Sequence, residues 1–548
     1  SSGRRYQTLM GVTGSGKSLP PEESIWIYRA DSDRLIPMLV SIGEFVDDFF
    51  NGQSLPITQY KDTQTVSLDS KLQRYYALSI NPNTFESEIR PIIAVHRHRP
   101  TDTLWIVRTT CGRSVRVTSD HNLWILRKGR LKLLKTKEIL PGDYLPLPRY
   151  LPVEDTGIDS VSIKNVFREN RSIFVNCREQ IAALGGRKIW LLGKTIRPES
   201  QTAGYQKLFR VAASGERLSI VDALRLESHG VNLGLGLLKA GARVGNEKRQ
   251  LPLTMPITPA LLELIGYFLA EGHAANRFFM ISCDDAEIQS HLERCLKNLG
   301  ITWKVRQNGY DYVCSWSIYA QLFNRWCGRR AGEKHLPSFW TQINQTQLSR
   351  LLSAYFAGDG GVEHDEVTVT TASSQLASEL SYALGRFGIW SRVAKRFKRA
   401  INSNHKGNFY HRISISGAEQ LRLFADHIGF LSERKQKQLE AILGKKQNTN
   451  VDIIPVSGDE IRRARIELKL SQKALAGYAG CERSHISMIE SEKRRPSRTI
   501  FEKILKALED KARDEEHFQV LRRIIYIKQF SRLRWTRIQS ISKETKEY

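Results

Sequence analysis

Two segments repeat a pattern that few folds can accommodate. Leu264-Ile-Gly266-Tyr-Phe-Leu-Ala270-Glu271-Gly272 and Leu352-Ser-Ala354-Tyr-Phe-Ala-Gly358-Asp359-Gly360 both run apolar with small residues interleaved. Each ends in a carboxylate followed by glycine. In helices, Gly266 and Ala270 lie four apart on one face, as do Ala354 and Gly358. A small-residue face lets two helix backbones approach closely, and the terminal glycines suit helix C-caps. If the helices pack side by side, Glu271 and Asp359 emerge together at one end. Two carboxylates converging there, on a very basic chain, make a site for hard divalent cations.

One such segment is ordinarily a tightly packed core helix. Its repetition in register, roughly 90 residues on, points instead to a duplicated unit. These residues resemble the LAGLIDADG (dodecapeptide, DOD-type) homing endonucleases. The resemblance implies an α+β domain over residues 251–450 with a pseudo-twofold core, whose two acids, Glu271 and Asp359, bind Mg²⁺ at the scissile phosphates of double-stranded DNA. Glu333-Lys334-His-Leu-Pro337 looks like the Lys-x-x-Pro block of that family and implies Lys334 as an electrostatic helper. Ser373-Ser-Gln-Leu376 through Gly388-Ile389 resembles the helix that follows the second acid.

Across 548 residues there is room for three or four domains. An excess of 83 basic over 57 acidic residues, net charge +26, argues against an ordinary metabolic enzyme and suits a polyanionic partner. No run of about 18 apolar residues predicts a membrane helix, and no apolar signal opens the chain. The seven cysteines stand singly, which disfavours a zinc ribbon or a disulfide framework and fits a reducing cytoplasm. A cytoplasmic monomer is expected.

Near the start, Gly11-Val-Thr-Gly-Ser-Gly16-Lys17-Ser18 has the form of a phosphate-cradling loop. Such a loop needs a helix directly after it to present its N–H groups. Here Pro20-Pro21 and a strand-like Ile25-Trp-Ile-Tyr28 follow instead. Arg5 through Lys17 resembles the P-loop of UvrB, the B subunit of bacterial-type excision nucleases. Inteins interrupt such loops and begin with their own Ser or Cys. Residues 1–17 are then a host stub and Ser18 is the first intein residue.

A second pattern agrees. Arg108 to Val117 alternates as a strand pair around a Gly112 turn, followed by Thr118-Ser-Asp-His121 and Leu140-Pro-Gly142-Asp143. This resembles the Thr-x-x-His block of Hint (Hedgehog/intein) domains, implying an all-β, incomplete Hint domain over residues 18–150. The resemblance implies that Ser18 attacks the Lys17 carbonyl, His121 protonates the departing nitrogen and Thr118 holds the scissile peptide, without a cofactor. Residues 511–548 are expected as a helix and a strand leading back toward the other Hint half. Completion of splicing is expected to need a separate C-terminal intein and extein segment as partner.

Residues 456–510 resemble a small all-α Cro/repressor-type helix-turn-helix. Ser471 caps one helix, and Leu475, Ala476, Ile486 and Ile489 form its core. Gln472, Ser484, His485, Ser487 and Arg494 are expected to face DNA. Residues 151–250 are expected as a linker or a DNA-contacting insert, with loops at Gly185-Gly-Arg-Lys188 and Gly230 to Gly241 and otherwise a solvated basic surface. Three functions compete: a self-splicing element with a site-specific endonuclease, a DNA-binding protein with a decayed nuclease, and an excision-repair ATPase. The retained acids favour the first over the second, and Pro20-Pro21 argues against the third.

Overall fold

The computed structural model describes residues 5–8, 19–51, 55–68, 74–98, 103–242, 249–398, 407–445 and 451–545. The loop Gly11–Ser18 therefore lies outside the described residues, Ser18 included.

A six-stranded antiparallel sheet joins the two ends of the described chain. Its spatial order is Ser114–Val117, Thr103–Thr109, Leu533–Thr545, Tyr144–Pro148, Asn122–Arg127 and Arg130–Lys135. Alternation along these strands turns Val107, Val117, Ile125 and Ile538 into one small core with Ile139. The strand Leu533–Thr545 lies inside the sheet, with Leu533 opposite Pro148 and Trp535 opposite Pro146. Its other edge pairs with Thr103–Thr109 through a register shift between Ile538 and Ser540. Two four-stranded sheets complete the first 150 residues. This region is not wholly β as expected. Ile42, Phe45, Val46, Phe49 and Phe50 fall at helical spacing and bury one face of the helix Ile42–Asn51.

Residues 259–427 contain two halves with the same order of elements. The first runs helix Pro259–Glu271, strands Gly272–Ala274 and Phe279–Ser282, helix Ala286–Asn298, strands Lys304–Val305 and Asp311–Cys314, helix Ser317–Cys327. The second runs helix Gln345–Asp359, strands Gly361–Glu363 and Glu366–Thr371, helix Ser374–Gly385, strands Arg392–Lys398 and Asn408–Ile415, helix Ala418–His427. In both sheets the fourth strand lies between the second and the third. The small faces of Pro259–Glu271 and Gln345–Asp359 meet as expected. A Cβ on Gly266 would fall 2.4 Å from the Leu351 carbonyl oxygen, and one on Gly358 would fall 2.6 Å from the Ala270 Cβ. The terminal glycines differ from expectation in one respect. Gly272 and Gly360 do cap their helices, but with extended backbone (φ −89° and −81°), not the left-handed conformation usual for a capping glycine. Space is what they supply: a Cβ there would meet the carbonyl oxygen of Phe268 at 2.3 Å or of Phe356 at 2.5 Å.

Part of the stretch expected as loop is folded. Gly186 opens the helix Gly186–Leu191, and Gly193 and Gly204 bring two helix backbones together, since a Cβ on Gly204 would lie 2.0 Å from the Gly193 carbonyl oxygen. The helix Ile220–Ser228 packs on a short four-stranded sheet, and Gln201–Ser214 packs on the short helices Arg178–Ala182, Gly186–Leu191 and Gly193–Ile196. Gly230 and Gly234 are turn residues with positive φ, as expected.

Beyond the helix Glu433–Leu443 come five more: Gly458–Glu467, Gln472–Ala479, Arg483–Glu490, Arg498–Asp514 and Phe518–Lys528. Ser471 Oγ accepts from the Ala474 N–H at 3.1 Å, the expected cap, and Gly480 turns at φ +62°. Leu475, Ala476, Ile486 and Ile489 are buried, and their core is continuous with Phe85, Leu126 and Trp535 of the sheet region. These helices are therefore anchored on the sheet. The duplicated unit of residues 259–427 touches the same region elsewhere. Trp26 stacks on Tyr382 with ring centroids 5.8 Å apart, and the Val393 N–H donates to the Cys111 carbonyl at 3.0 Å. Among the described residues no helix is long and apolar enough to cross a membrane.

Candidate functional sites

The two helices with small faces deliver Glu271 and Asp359 to one end, where each carboxyl senses the other or a close neighbour. Asp359 is pushed up to about 8, first by loss of solvent and then by Glu271. Glu271 is raised by burial and by Asp284. Opposing charge comes from two lysines. Lys334, 5% exposed, donates to the carbonyls of Phe268 and Gly272, both at 2.9 Å, and its ammonium lies 3.7 Å from the Phe268 ring centroid. Burial lowers it to about 8. Lys435, on the helix Glu433–Leu443, takes the matching place at the end of the second helix, donating to the carbonyls of Ala357, of Gly358 at 3.0 Å and of Gly360 at 2.7 Å. Each helix end thus has a carboxylate on its last residue and an ammonium on its final carbonyls, where a helix dipole favours a cation.

Sequence reasoning named Lys334 and missed Lys435 and Asp284. Lys435 sits in a run of charges, Ser432-Glu-Arg-Lys435-Gln-Lys437, with no proline to mark it. The available signal was the duplication itself, which calls for a second lysine in the second half. The donor chemistry suits a hard divalent cation: oxygen ligands, held close enough to disfavour full ionisation without one.

Of the residues expected to splice, Thr118 and His121 lie in the turn between the strands Ser114–Val117 and Asn122–Arg127 of the six-stranded sheet, and Ser18 lies outside the described residues. Thr118 is buried and its carbonyl accepts from the His121 N–H at 3.1 Å, closing a tight turn. The His121 carbonyl accepts from Thr136 through N–H at 2.8 Å and Oγ1 at 2.9 Å. Leu19, next to Ser18, packs on the core containing Val117. The Gly142-Asp143 turn clamps the C-terminal strand: Ile538 N–H donates to the Asp143 carbonyl at 2.7 Å, and Gly142 N–H donates to the Ile538 carbonyl at 2.9 Å. Arg127 fixes the buried Asp143 carboxylate, with Nε at 2.8 Å.

In the helical unit Ser484 and Ser487 are exposed along Arg483–Glu490, and His485 is half-buried. The Gln472 amide donates one N–H to the Glu490 carboxylate at 2.9 Å, which fixes the side chain against the unit and leaves its second N–H and its oxygen for a partner. Arg494 is half-buried beyond the same helix, with its N–H donating to the Met488 carbonyl at 3.1 Å.

Comparison with known proteins agrees with this geometry. Residues 346–429 match the LAGLIDADG-like domain family. Residues 461–512 match the helix-turn-helix family. Among curated proteins, the replication factor C small subunit of Methanocaldococcus jannaschii is 31% identical over 244 residues, covering 43% of this chain and 13% of that protein. The glutamine–fructose-6-phosphate aminotransferase of the same organism is 23% identical over 390 residues, covering 67% and 34%. A DNA polymerase of Thermococcus kodakarensis is 24% identical over 427 residues, covering 68% and 25%. The chain thus spans about a third or less of these relatives. A transcription factor IIB mini-intein structure aligns over 25% of this chain and 72% of its own, at 19% identity and TM-score 0.22. A homing endonuclease I-DmoI variant aligns over 32% and 99%, at 10% identity and TM-score 0.24.

Proposed function

We propose that the chain is an intein carrying a LAGLIDADG-type DNA endonuclease and a helix-turn-helix DNA-binding unit. The observation that carries this reading is the six-stranded sheet. Pro148 and Leu533 face each other in it, so the two-acid unit and the helical unit lie between neighbouring strands of one fold. The relatives support it. A replication factor subunit, an aminotransferase and a DNA polymerase have little in common by name, yet each resembles this chain over a minor part of its own length. A segment that lodges in unrelated hosts would give that distribution. That the host is UvrB-like rests on the resemblance of Arg5 through Lys17 alone.

In the nuclease, Glu271 and Asp359 would hold Mg²⁺, with the two halves related by a pseudo-twofold axis. Bound there, the ion supplies charge neutralisation at the scissile phosphates and a more acidic water. Lys334 and Lys435 fix the two helix ends and place positive charge beside the acids, where negative charge grows on the phosphate. Ser484, Ser487, His485 and Arg494 would meet the DNA away from the cut. In splicing, the Ser18 hydroxyl attacks the Lys17 carbonyl carbon. The amide becomes an ester, with His121 protonating the departing nitrogen and Thr118 holding the peptide.

Two experiments test the reading. Full-length protein with Mg²⁺ should cut a defined duplex site, and Glu271→Gln or Asp359→Asn should lower the rate by orders of magnitude while DNA binding survives. Single variants that both cut at the wild-type rate would overturn the nuclease assignment. Supplied with a matching C-terminal intein segment, the chain should transfer residues 1–17 to the partner's extein, and Ser18→Ala should abolish transfer. Absence of any cleavage at Lys17–Ser18, with hydroxylamine or with the partner, would remove the splicing reading alone.

A further inference from the structure

A second cluster of ligand-type side chains begins with Glu263, on the same helix as Glu271 and two turns earlier. Glu263 is 6% exposed in an otherwise apolar helix, and Cys295 is 2% exposed on the helix Ala286–Asn298 that packs against it. His291 precedes Cys295 by one helical turn, so both project from one face. Glu263 Oε2 lies 3.5 Å from Cys295 Sγ and 3.6 Å from His291 Nε2. Bonds of about 2.0–2.3 Å in a tetrahedron have edges of about 3.3–3.8 Å, so the two edges at Glu263 suit one small ion. Cys295 Sγ also lies 3.8 Å from His291 Nδ1, and one ligand atom from each of the three residues falls within 4.8 Å of the others. Atoms further out orient the three donors. The Tyr267 hydroxyl meets His291 Nδ1 at 2.9 Å, leaving Nε2 to face Glu263. Arg350 Nη1 holds the other Glu263 oxygen at 3.4 Å. Such outer partners characterise metal-binding histidines and carboxylates.

We propose that Glu263, His291 and Cys295 form a binding site for a zinc-class divalent ion, separate from the carboxylate site at Glu271 and Asp359. Carboxylate, imidazole and thiolate together make a borderline-soft set that favours Zn²⁺ or Co²⁺ over Mg²⁺. As the metal–sulfur bond forms, the Cys295 S–H proton leaves to solvent, so two anionic ligands balance the ion's two charges. The second half shows that the fold itself does not require the cluster. Counting back from the paired acids and forward from the helix caps, Leu351, Glu379 and Ala383 occupy the corresponding places, and that half packs without two of the three donors. The site would clamp the helix Ala286–Asn298 to the helix that carries Glu271.

The test uses full-length, metal-stripped protein with excess Mg²⁺ present to occupy the hard oxygen site. One equivalent of Co²⁺ should produce thiolate-to-cobalt absorption and visible ligand-field bands, displaced by one equivalent of Zn²⁺. Cys295→Ser should lose the thiolate band. His291→Gln, at a half-buried position and able to keep a hydrogen bond to Tyr267, should weaken affinity at least about tenfold. Should Cys295→Ser fail to fold, His291→Gln and Glu263→Gln replace it, each expected to weaken or abolish the cobalt bands. Absence of a thiolate band in wild-type protein with a normal melting transition would overturn the proposal. So would a band unchanged in the folded variants, since it would come from another cysteine.

Discussion

Asp359 shows what a buried acid costs before its cation arrives. Its carboxyl sits at about 8 in the folded chain, against an ordinary 3.8. The folded state therefore binds the proton more tightly than the unfolded one. Metal-free stability falls as pH rises from about 4 to about 8, and the penalty is complete above that range. Asp359→Asn should accordingly stabilise the metal-free protein by a few kcal/mol at pH 8.5, on the order of the stabilisation lost by an unpaired buried charge. It should leave stability nearly unchanged at pH 4. Urea unfolding at the two pH values checks this, and an equal effect at both would refute it. Lys435 gives a second prediction at this scale. Lys435→Met should slow cleavage about as much as Lys334→Met, roughly tenfold to a thousandfold each, as measured by single-turnover kinetics. The acids were legible because two matching signatures ended in them. Lys334 was legible through its Lys-x-x-Pro context. Lys435 was not, because its role depends on where its ammonium reaches in space, and a lysine among charges carries no local mark of that.

Elements were legible where periodicity was long, and lost where packing used glycine in place of side chains. The two small-faced helices, the hairpin at Gly112 and the helix-turn-helix all appear where the sequence placed them. The Gly112 turn is doubly specified: its φ is +83°, and a Cβ would come within 1.6 Å of the Val393 carbonyl oxygen. The insert near Gly193 and Gly204 escaped, because short apolar runs broken by glycine look like loops until two backbones are seen to touch. Helix contact through glycine is also the easiest feature to break. Gly266→Ala places a methyl 2.4 Å from a backbone oxygen and must push the paired helices apart. A loss of about 1–3 kcal/mol is expected, read as a lower urea midpoint, with cleavage falling further than stability because both acids move. A variant as stable and active as wild type would show that the helices do not meet there.

At the scale of the whole molecule, the strand Leu533–Thr545 changes how the DNA-binding unit can be tested. Ending the chain near residue 459 would remove the helix-turn-helix, but it would also pull an interior strand from the sheet. The cleaner variant is Ser484→Glu with Ser487→Glu, both exposed on Arg483–Glu490. It should weaken binding to the full DNA site at least about tenfold and flatten its salt dependence, since repulsion replaces phosphate contact. Cleavage of a short core site should persist, and unchanged affinity would exclude this helix from the interface. The sequence placed the returning strand near the chain's end but could not show that it enters between two others, because register is a long-range property. From the sheet's standpoint, everything from residue 149 to residue 532 is one hairpin loop, leaving at Pro148 and rejoining at the facing Leu533. Since the insert brings its own ends together, its length adds little closure entropy. A tight turn from Pro148 to Leu533 could stand in for the whole graft, provided replacements covered Phe85, Leu126 and Trp535, on which the grafted helices rest, and Trp26, which stacks on Tyr382.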